Sequence, residues 1–211
     1  MQEHEQNQIQ PKRKPGRPKA TTSQTPTMNL ILRTAAFQFM EHGYEKVSLE
    51  GVAQACGVTK ASVYYYFNNK AMLFTESLIF VLGFALEQTR KLIMGPGTLQ
   101  ERLILIAERH MSNTHVDFET MMREASSGLS EEQIIKIRSA ESELHQLLAE
   151  VFQQAIDDNE IAAGEPMLMA HAYTALLTVR NRNEVVKDEA TLKRSVESIM
   201  SFFWNGLAPR Q

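Results

Sequence analysis

The stretch SLEGVAQACGVTKASVYYYF, residues 48–67, holds two short helical patterns that meet at Cys56-Gly57-Val58. Its apolar positions are Leu49, Val52, Cys56, Val58, Val63 and Phe67, and the small residues between them let the two helices close on each other. Ala53 stands where a larger side chain would hold the helices apart, and Gly57 can adopt the positive φ that a tight interhelical turn requires. Cys56 reads as a small buried hydrophobe. An ordinary αα-corner would satisfy part of this pattern. The glycine, the small residue and the apolar positions, taken together, predict a helix-turn-helix.

Helical geometry then sorts the second of these helices into faces. At about 100° per residue, Val63 and Phe67 share one stripe, which leaves Ala61, Ser62, Tyr64 and Tyr65 pointing outward. Thr59 and Lys60 open the helix, where side chains and free backbone N–H groups meet phosphate oxygens. Tyr66 leans back toward the buried stripe. Outward tyrosines beside a small alanine suit base edges and thymine methyls, with their hydroxyls available to phosphates.

The rest of the chain continues in helical periodicity. From Met28 the positions Leu30, Ile31, Ala35, Phe37 and Phe39 lead to Gly43, which predicts a first helix over 28–42 with Thr27 as its N-cap. Further helices are expected over 48–56, 59–66, 69–94, 98–115, 117–126, 130–159, 166–184 and 189–206, separated by clusters of turn formers and caps. No segment alternates with period two. The expected fold class is therefore all-α: an N-terminal three-helix DNA-binding domain with a helix-turn-helix, plus a larger helical bundle. Expected boundaries are a disordered basic arm over 1–26, the helix-turn-helix domain over 27–70 and a second helical domain over 71–211, whose ligand-binding and dimerisation roles are implied by the family resemblance given below.

Charge divides along the same boundary. Residues 1–70 carry a net charge of +4 on a chain whose total is -3, so the remainder stands at -7. A basic region on an acidic chain fits one part approaching a polyanion, although solvated lysines and arginines would give the same count. The single cysteine allows no intramolecular disulfide. The run LIFVLGFAL, residues 78–86, falls short of the roughly 20 residues that span a bilayer, and the start MQEHEQNQIQ lacks the apolar core of a signal peptide. A cytoplasmic location without membrane contact is expected.

The run Gly43 to Phe74, GYEKVSLEGVAQACGVTKASVYYYFNNKAMLF, resembles the N-terminal domain of the tetracycline-repressor (TetR) family of bacterial transcriptional regulators. The resemblance lies in Gly43-Tyr44, Val52-Ala53, Gly57-Val58, Tyr64, Phe67, Lys70 and Leu73, while Tyr66 and Ala61 depart from the family pattern. It implies that Thr59, Lys60, Ala61, Ser62, Tyr64 and Tyr65 contact DNA, and that Ser48 and Lys70, each at a helix start, hold phosphates. For Ser48 a plain N-cap role explains the residue equally well. It further implies a C-terminal domain that binds a ligand and forms the dimer. Upstream, KPGRPK resembles an AT-hook core, in which Arg17 enters a narrow A·T minor groove; nonspecific phosphate attraction is the other reading of the same charges.

In the C-terminal part, His110, Met111, Phe118, Met122, Arg123 and Phe152 are the candidate effector-binding residues, since methionine-rich linings adapt to varied apolar ligands. The same residues also suit plain core filling. The last two expected helices carry wide apolar stripes, from which Leu168, Ala172, Leu176, Val196, Met200, Phe203 and Trp204 are expected at a two-fold interface. No phosphate loop, nucleophile elbow or His-Glu-x-x-His motif is present, so neither enzymatic activity, a cofactor nor a metal site is expected. The expected function is a homodimeric repressor that binds a double-stranded DNA operator and is released by a small apolar or amphipathic effector. A ligand-independent architectural DNA-binding protein remains the alternative.

Overall fold

The computed structural model describes residues 25–112, 118–181 and 188–207, and among these it contains nine α-helices and no strand. The helices are α1 (Pro26–His42), α2 (Leu49–Cys56), α3 (Lys60–Tyr66), α4 (Lys70–Ile93), α5 (Leu99–Met111), α6 (Phe118–Ala125), α7 (Glu131–Asp157), α8 (Pro166–Leu177) and α9 (Glu189–Leu207). The first begins two residues earlier than expected. Thr25, not Thr27, is its N-cap, its hydroxyl accepting from the Met28 N–H at 3.2 Å, and Pro26 takes the first helical position, where its missing N–H is harmless. Arg17 and most of the expected arm lie outside the described residues. At the other end α8 stops at Leu177, and a 3-10 turn follows over Thr178–Asn181.

The spine of the fold is α4, 24 residues long, or about 36 Å at 1.5 Å per residue. By length and mean hydropathy it would pass for a bilayer-spanning helix. Here it packs on α1 near its start, on α5 near its end and on α7 between. Arg102 closes its C-terminus by donating from Nη1 to the Ile93 carbonyl at 2.6 Å, and α5 then starts from a reciprocal cap between Thr98 and Glu101.

Two hydrophobic cores line this spine. The first joins α1–α3 to the start of α4 through Leu32, Phe39, Val52, Val63, Phe67 and Phe74, and it also takes in Met121, Met122 and Ala125 of α6 and Ile137 of α7. The second gathers Leu103, Met111, Leu148, Phe152, Tyr173 and Met200 from α5, α7, α8 and α9. Inside it the Tyr173 hydroxyl donates to the Leu103 carbonyl at 2.7 Å, and burial pushes the phenol's pKa well up. Between the cores, neither residues 79–85 of α4 nor residues 138–146 of α7 include a fully buried side chain.

This division bears on two expectations. The six candidate effector residues do not line one pocket: Met111 and Phe152 are sealed in the second core, Met122 belongs to the first with Phe118 packed against it, and His110 and Arg123 are exposed. Of the expected interface residues, Val196, Met200 and Phe203 are buried within the chain itself, because the apolar stripe of α9 is covered by the chain's own helices and packs chiefly on α5. Leu168 and Ala172 are exposed, and Leu176 and Trp204 are half-buried.

The turn between α1 and α2 packs against the first core through several close contacts. Tyr44 stands edge-on to Phe74 at 4.9 Å between centroids, and Phe74 is likewise edge-on to Phe39 at 4.9 Å. The Tyr44 N–H donates to Glu124 Oε2 of α6 at 3.1 Å, and Lys70 Nζ sits 4.4 Å above the Tyr44 ring. Gly43, at φ 81 and ψ 171, occupies a region that only glycine enters freely, and a Cβ there would lie 2.6 Å from Glu124 Oε2. Replacing Gly43 by Ala should therefore lower the unfolding free energy by about 1–3 kcal/mol with little change in helical content. Urea titration followed by circular dichroism measures this, and an unaltered midpoint would contradict the strained turn.

Candidate nucleic-acid interface

The two helices predicted from residues 48–67 are α2 and α3, and they turn about Gly57 in the left-handed region, at φ 66 and ψ 27. The Val58 N–H closes the turn on the Ala53 carbonyl at 3.0 Å, a 6→1 bond of the Schellman type that ends a helix at a left-handed residue. Val52, Ala53, Val63 and Phe67 are buried, as their spacing requires. Cys56 departs from expectation in being only half-buried, with its thiol 3.9 Å from the Leu30 carbonyl of α1.

Burial of Val63 and Phe67 fixes which side of α3 faces solvent. Lys60, Ala61, Tyr64 and Tyr65 are exposed, Tyr65 at 71%, and Ser62 is half-buried. Thr59 caps the helix: its Oγ1 accepts from the Ser62 N–H at 3.1 Å and pairs with the Ser62 hydroxyl at 2.8 Å. Tyr66 packs inward, its hydroxyl 2.9 Å from Thr25 Oγ1, so the recognition-helix candidate is also tied to the start of α1. The resulting outward face is short, polar at its ends and aromatic at its centre. A single α-helix of this kind fits a major groove about 12 Å wide.

Around that face the other candidates have structural partners. Ser48 caps α2, accepting from the Gly51 N–H at 3.0 Å. Lys70 donates from Nζ to the Glu45 carbonyl at 2.9 Å, which ties the start of α4 to the α1–α2 turn. Glu50, which sequence reasoning passed over, lies in the first turn of α2. One of its carboxylate oxygens sits 2.5 Å from Lys60 Nζ and accepts from the Tyr64 hydroxyl at 3.2 Å. The hydrogen bond from Lys60 holds the Glu50 carboxyl below the usual carboxylate range and raises the lysine in return. A signal for Glu50 existed, since it stands three residues before Ala53 and so shares the stripe of α2 that meets α3.

Comparison with known proteins agrees with this geometry. Residues 31–76 match the family described as bacterial regulatory proteins, tetR family. Over 50 residues the chain is 40% identical to the probable acrEF/envCD operon repressor of Escherichia coli K12; the matched segment is 24% of this chain and 23% of that relative's length. In overall fold it resembles the fatty acid degradation regulator FadR from Bacillus halodurans, with a TM-score of 0.70, 19% identity, and coverage of 90% of this chain and 100% of that one. It also resembles FadR from Bacillus subtilis in complex with stearoyl-CoA, with a TM-score of 0.64, 18% identity, and coverage of 84% and 97%. The family resemblance drawn from residues 43–74 is thus borne out over residues 31–76, and the all-α architecture over most of the chain.

Proposed function

We propose that this protein is a homodimeric DNA-binding transcriptional regulator that represses from an operator and releases it when a small apolar or amphipathic molecule binds. The observation that carries the reading is the outward face of α3, where Lys60, Ala61, Tyr64 and Tyr65 are exposed beside a left-handed turn in the segment that matches the tetR family. Tyr65 and Ala61 would meet base edges, while Thr59, Lys60, Ser62 and Tyr64, together with Ser48 and Lys70, would meet or align phosphates. The basic arm would extend the footprint, with Arg17 in a flanking minor groove or as an electrostatic tether. No catalytic role is assigned.

Effector binding is supported by the waist between the two cores, where residues 79–85 of α4 and 138–146 of α7 include no fully buried side chain. A ligand entering there would act directly on α4, which carries α3 at one end, and on the α6–α7 region that completes the first core. The FadR relative bound to stearoyl-CoA supports a long apolar ligand class. For the dimer, the supporting feature is the exposed apolar surface of α8 and α9. A groove of about 770 Å³ there is lined by Leu168, Ala172, Ala175, Leu176 and Phe202, among others, and Phe202 is 73% exposed. Large exposed aromatics clustered with aliphatics mark association surfaces. The interface proposed here therefore keeps Leu168, Ala172 and Leu176, adds Phe202 and excludes the inward stripe of α9.

Tyr65→Ala should weaken binding to a duplex selected by the full-length protein from a random pool by about tenfold or more, the worth of one base contact. Its helical spectrum should be unchanged. Electrophoretic mobility shift measures the affinity, and an unaltered value would remove α3 as the reading helix. Binding that no apolar or acyl ligand relieves would instead favour an architectural role. Separately, Phe202→Glu should convert a dimer into a monomer at micromolar concentration, because two-fold symmetry buries the new charge twice. Sedimentation velocity decides this: a monomeric wild-type protein, or a variant that remains dimeric, would refute the interface.

A further inference from the structure

We infer that Glu50 is a specificity-determining residue of the α2–α3 surface, one that withholds Lys60 and Tyr64 from phosphate contacts made without a matching base sequence. The inference rests on the DNA-binding reading above and sharpens it. Lys60 is the one cation of α3, and its ammonium sits 2.5 Å from the Glu50 carboxylate while also lying 5.4 Å from the Tyr64 ring centroid. The same carboxylate oxygen accepts the Tyr64 hydroxyl. Two of the groups best placed to bind any DNA backbone are therefore already occupied by a carboxylate on their own surface.

The consequence depends on what DNA offers in exchange. For Lys60 to reach a phosphate it must leave Glu50, and Glu50 then faces a polyanion without a counter-charge. On a sequence that sets no donor within reach of the carboxylate, nothing offsets that repulsion. An ionised carboxylate only accepts hydrogen bonds, and the donors that a major groove presents are the exocyclic amines of cytosine and adenine. A site that places one of these under the start of α2 satisfies Glu50 and frees Lys60 for the backbone at once; a site with guanine or thymine there satisfies neither. Because both members of the pair are about half or more exposed, at 61% for Lys60 and 49% for Glu50, the ion pair adds little to folding. Its removal should leave the head intact.

Glu50→Gln keeps the shape and removes the charge. The experiment compares wild type, Glu50→Gln, Lys60→Ala and the double variant on two 30-base-pair duplexes, one of scrambled sequence and one selected by the full-length wild type, across a salt series. Glu50→Gln should bind the scrambled duplex about tenfold more tightly, with a log–log salt slope steeper by roughly 0.9, because the released lysine neutralises one further phosphate. The ratio of selected to scrambled affinity should fall by at least as much. In the Lys60→Ala background the steepening should vanish, which a simple loss of negative charge near DNA would not produce. Unchanged scrambled-duplex affinity and slope in Glu50→Gln, or an equal tightening with and without Lys60, overturns the inference while leaving DNA binding in place. Wild type that enriches no sequence from the random pool and does not bind the scrambled duplex overturns the DNA-binding reading and this inference with it. Should Glu50→Gln fail to show a native helical spectrum, Glu50→Ala replaces it in the same series with the same outcomes.

Discussion

Tyr44 stands edge-on to Phe74, carries the Lys70 ammonium over its ring and gives its backbone N–H to Glu124. The partners come from three places: Phe74 and Lys70 from α4, Glu124 from α6, and Gly128, whose backbone lies against the ring, from the turn after α6. The α1–α2 turn thereby fixes where α2 starts, and α2 with its left-handed exit at Gly57 fixes the direction of α3. Gly43 enforces the arrangement because its backbone takes a conformation other residues avoid, in a space too small for a Cβ. Orientation of the reading face is in this sense a property of contacts that reach as far as Glu124 and Gly128, beyond the head's own helices.

Seen from α6, the same contacts give the body of the protein a hold on the head. Met121, Met122 and Ala125 are buried in the core that also contains Val52, Val63 and Phe67. Glu119 of α6 is in turn bound to Arg138 of α7, whose guanidinium also reaches Glu141. These carboxylate pairings raise the Arg138 pKa, and the same hydrogen bonds hold the Glu119 carboxyl low. A displacement of α7 at the waist would therefore reach α6 through the Arg138–Glu119 pair, and Tyr44 through Glu124. Discrete repacking of such contacts, rather than smooth deformation, is how small movements in a packed core are transmitted.

What the sequence made legible was local. The periodicity of 48–67 placed Val63 and Phe67 inside and Tyr65 outside, and Gly57 at the turn, because a helix converts spacing directly into direction. The nine helices were likewise readable from apolar period and caps, to within a few residues at most ends. What spacing leaves open is the partner of each apolar face. The stripe Val196, Met200 and Phe203 announces that α9 must be covered, but it does not say by what; α5 and the second core cover it, and the surface left over contains Phe202, outside the stripe. Methionine and phenylalanine at 111, 122 and 152 were grouped by composition, although the chain sends them to two different cores. Spacing puts Glu50 on the stripe of α2 that meets α3, but which group a carboxylate pairs with across a helix contact, for Glu50 as for Glu124, is set by tertiary approach.

If Tyr44 and its partners hold α3 in place, α6 belongs to the same cooperative unit as the reading head. Amide hydrogen exchange on the full-length protein, followed as a function of low denaturant, tests this most directly, because residues of one unit open with one free energy and one denaturant dependence. The slowest amides of α6 should open together with those of α1 and α3, on a common curve. If α6 loses protection at a much lower free energy while α1 and α3 stay closed, the head is complete without α6 and α3 is held by something other than these contacts.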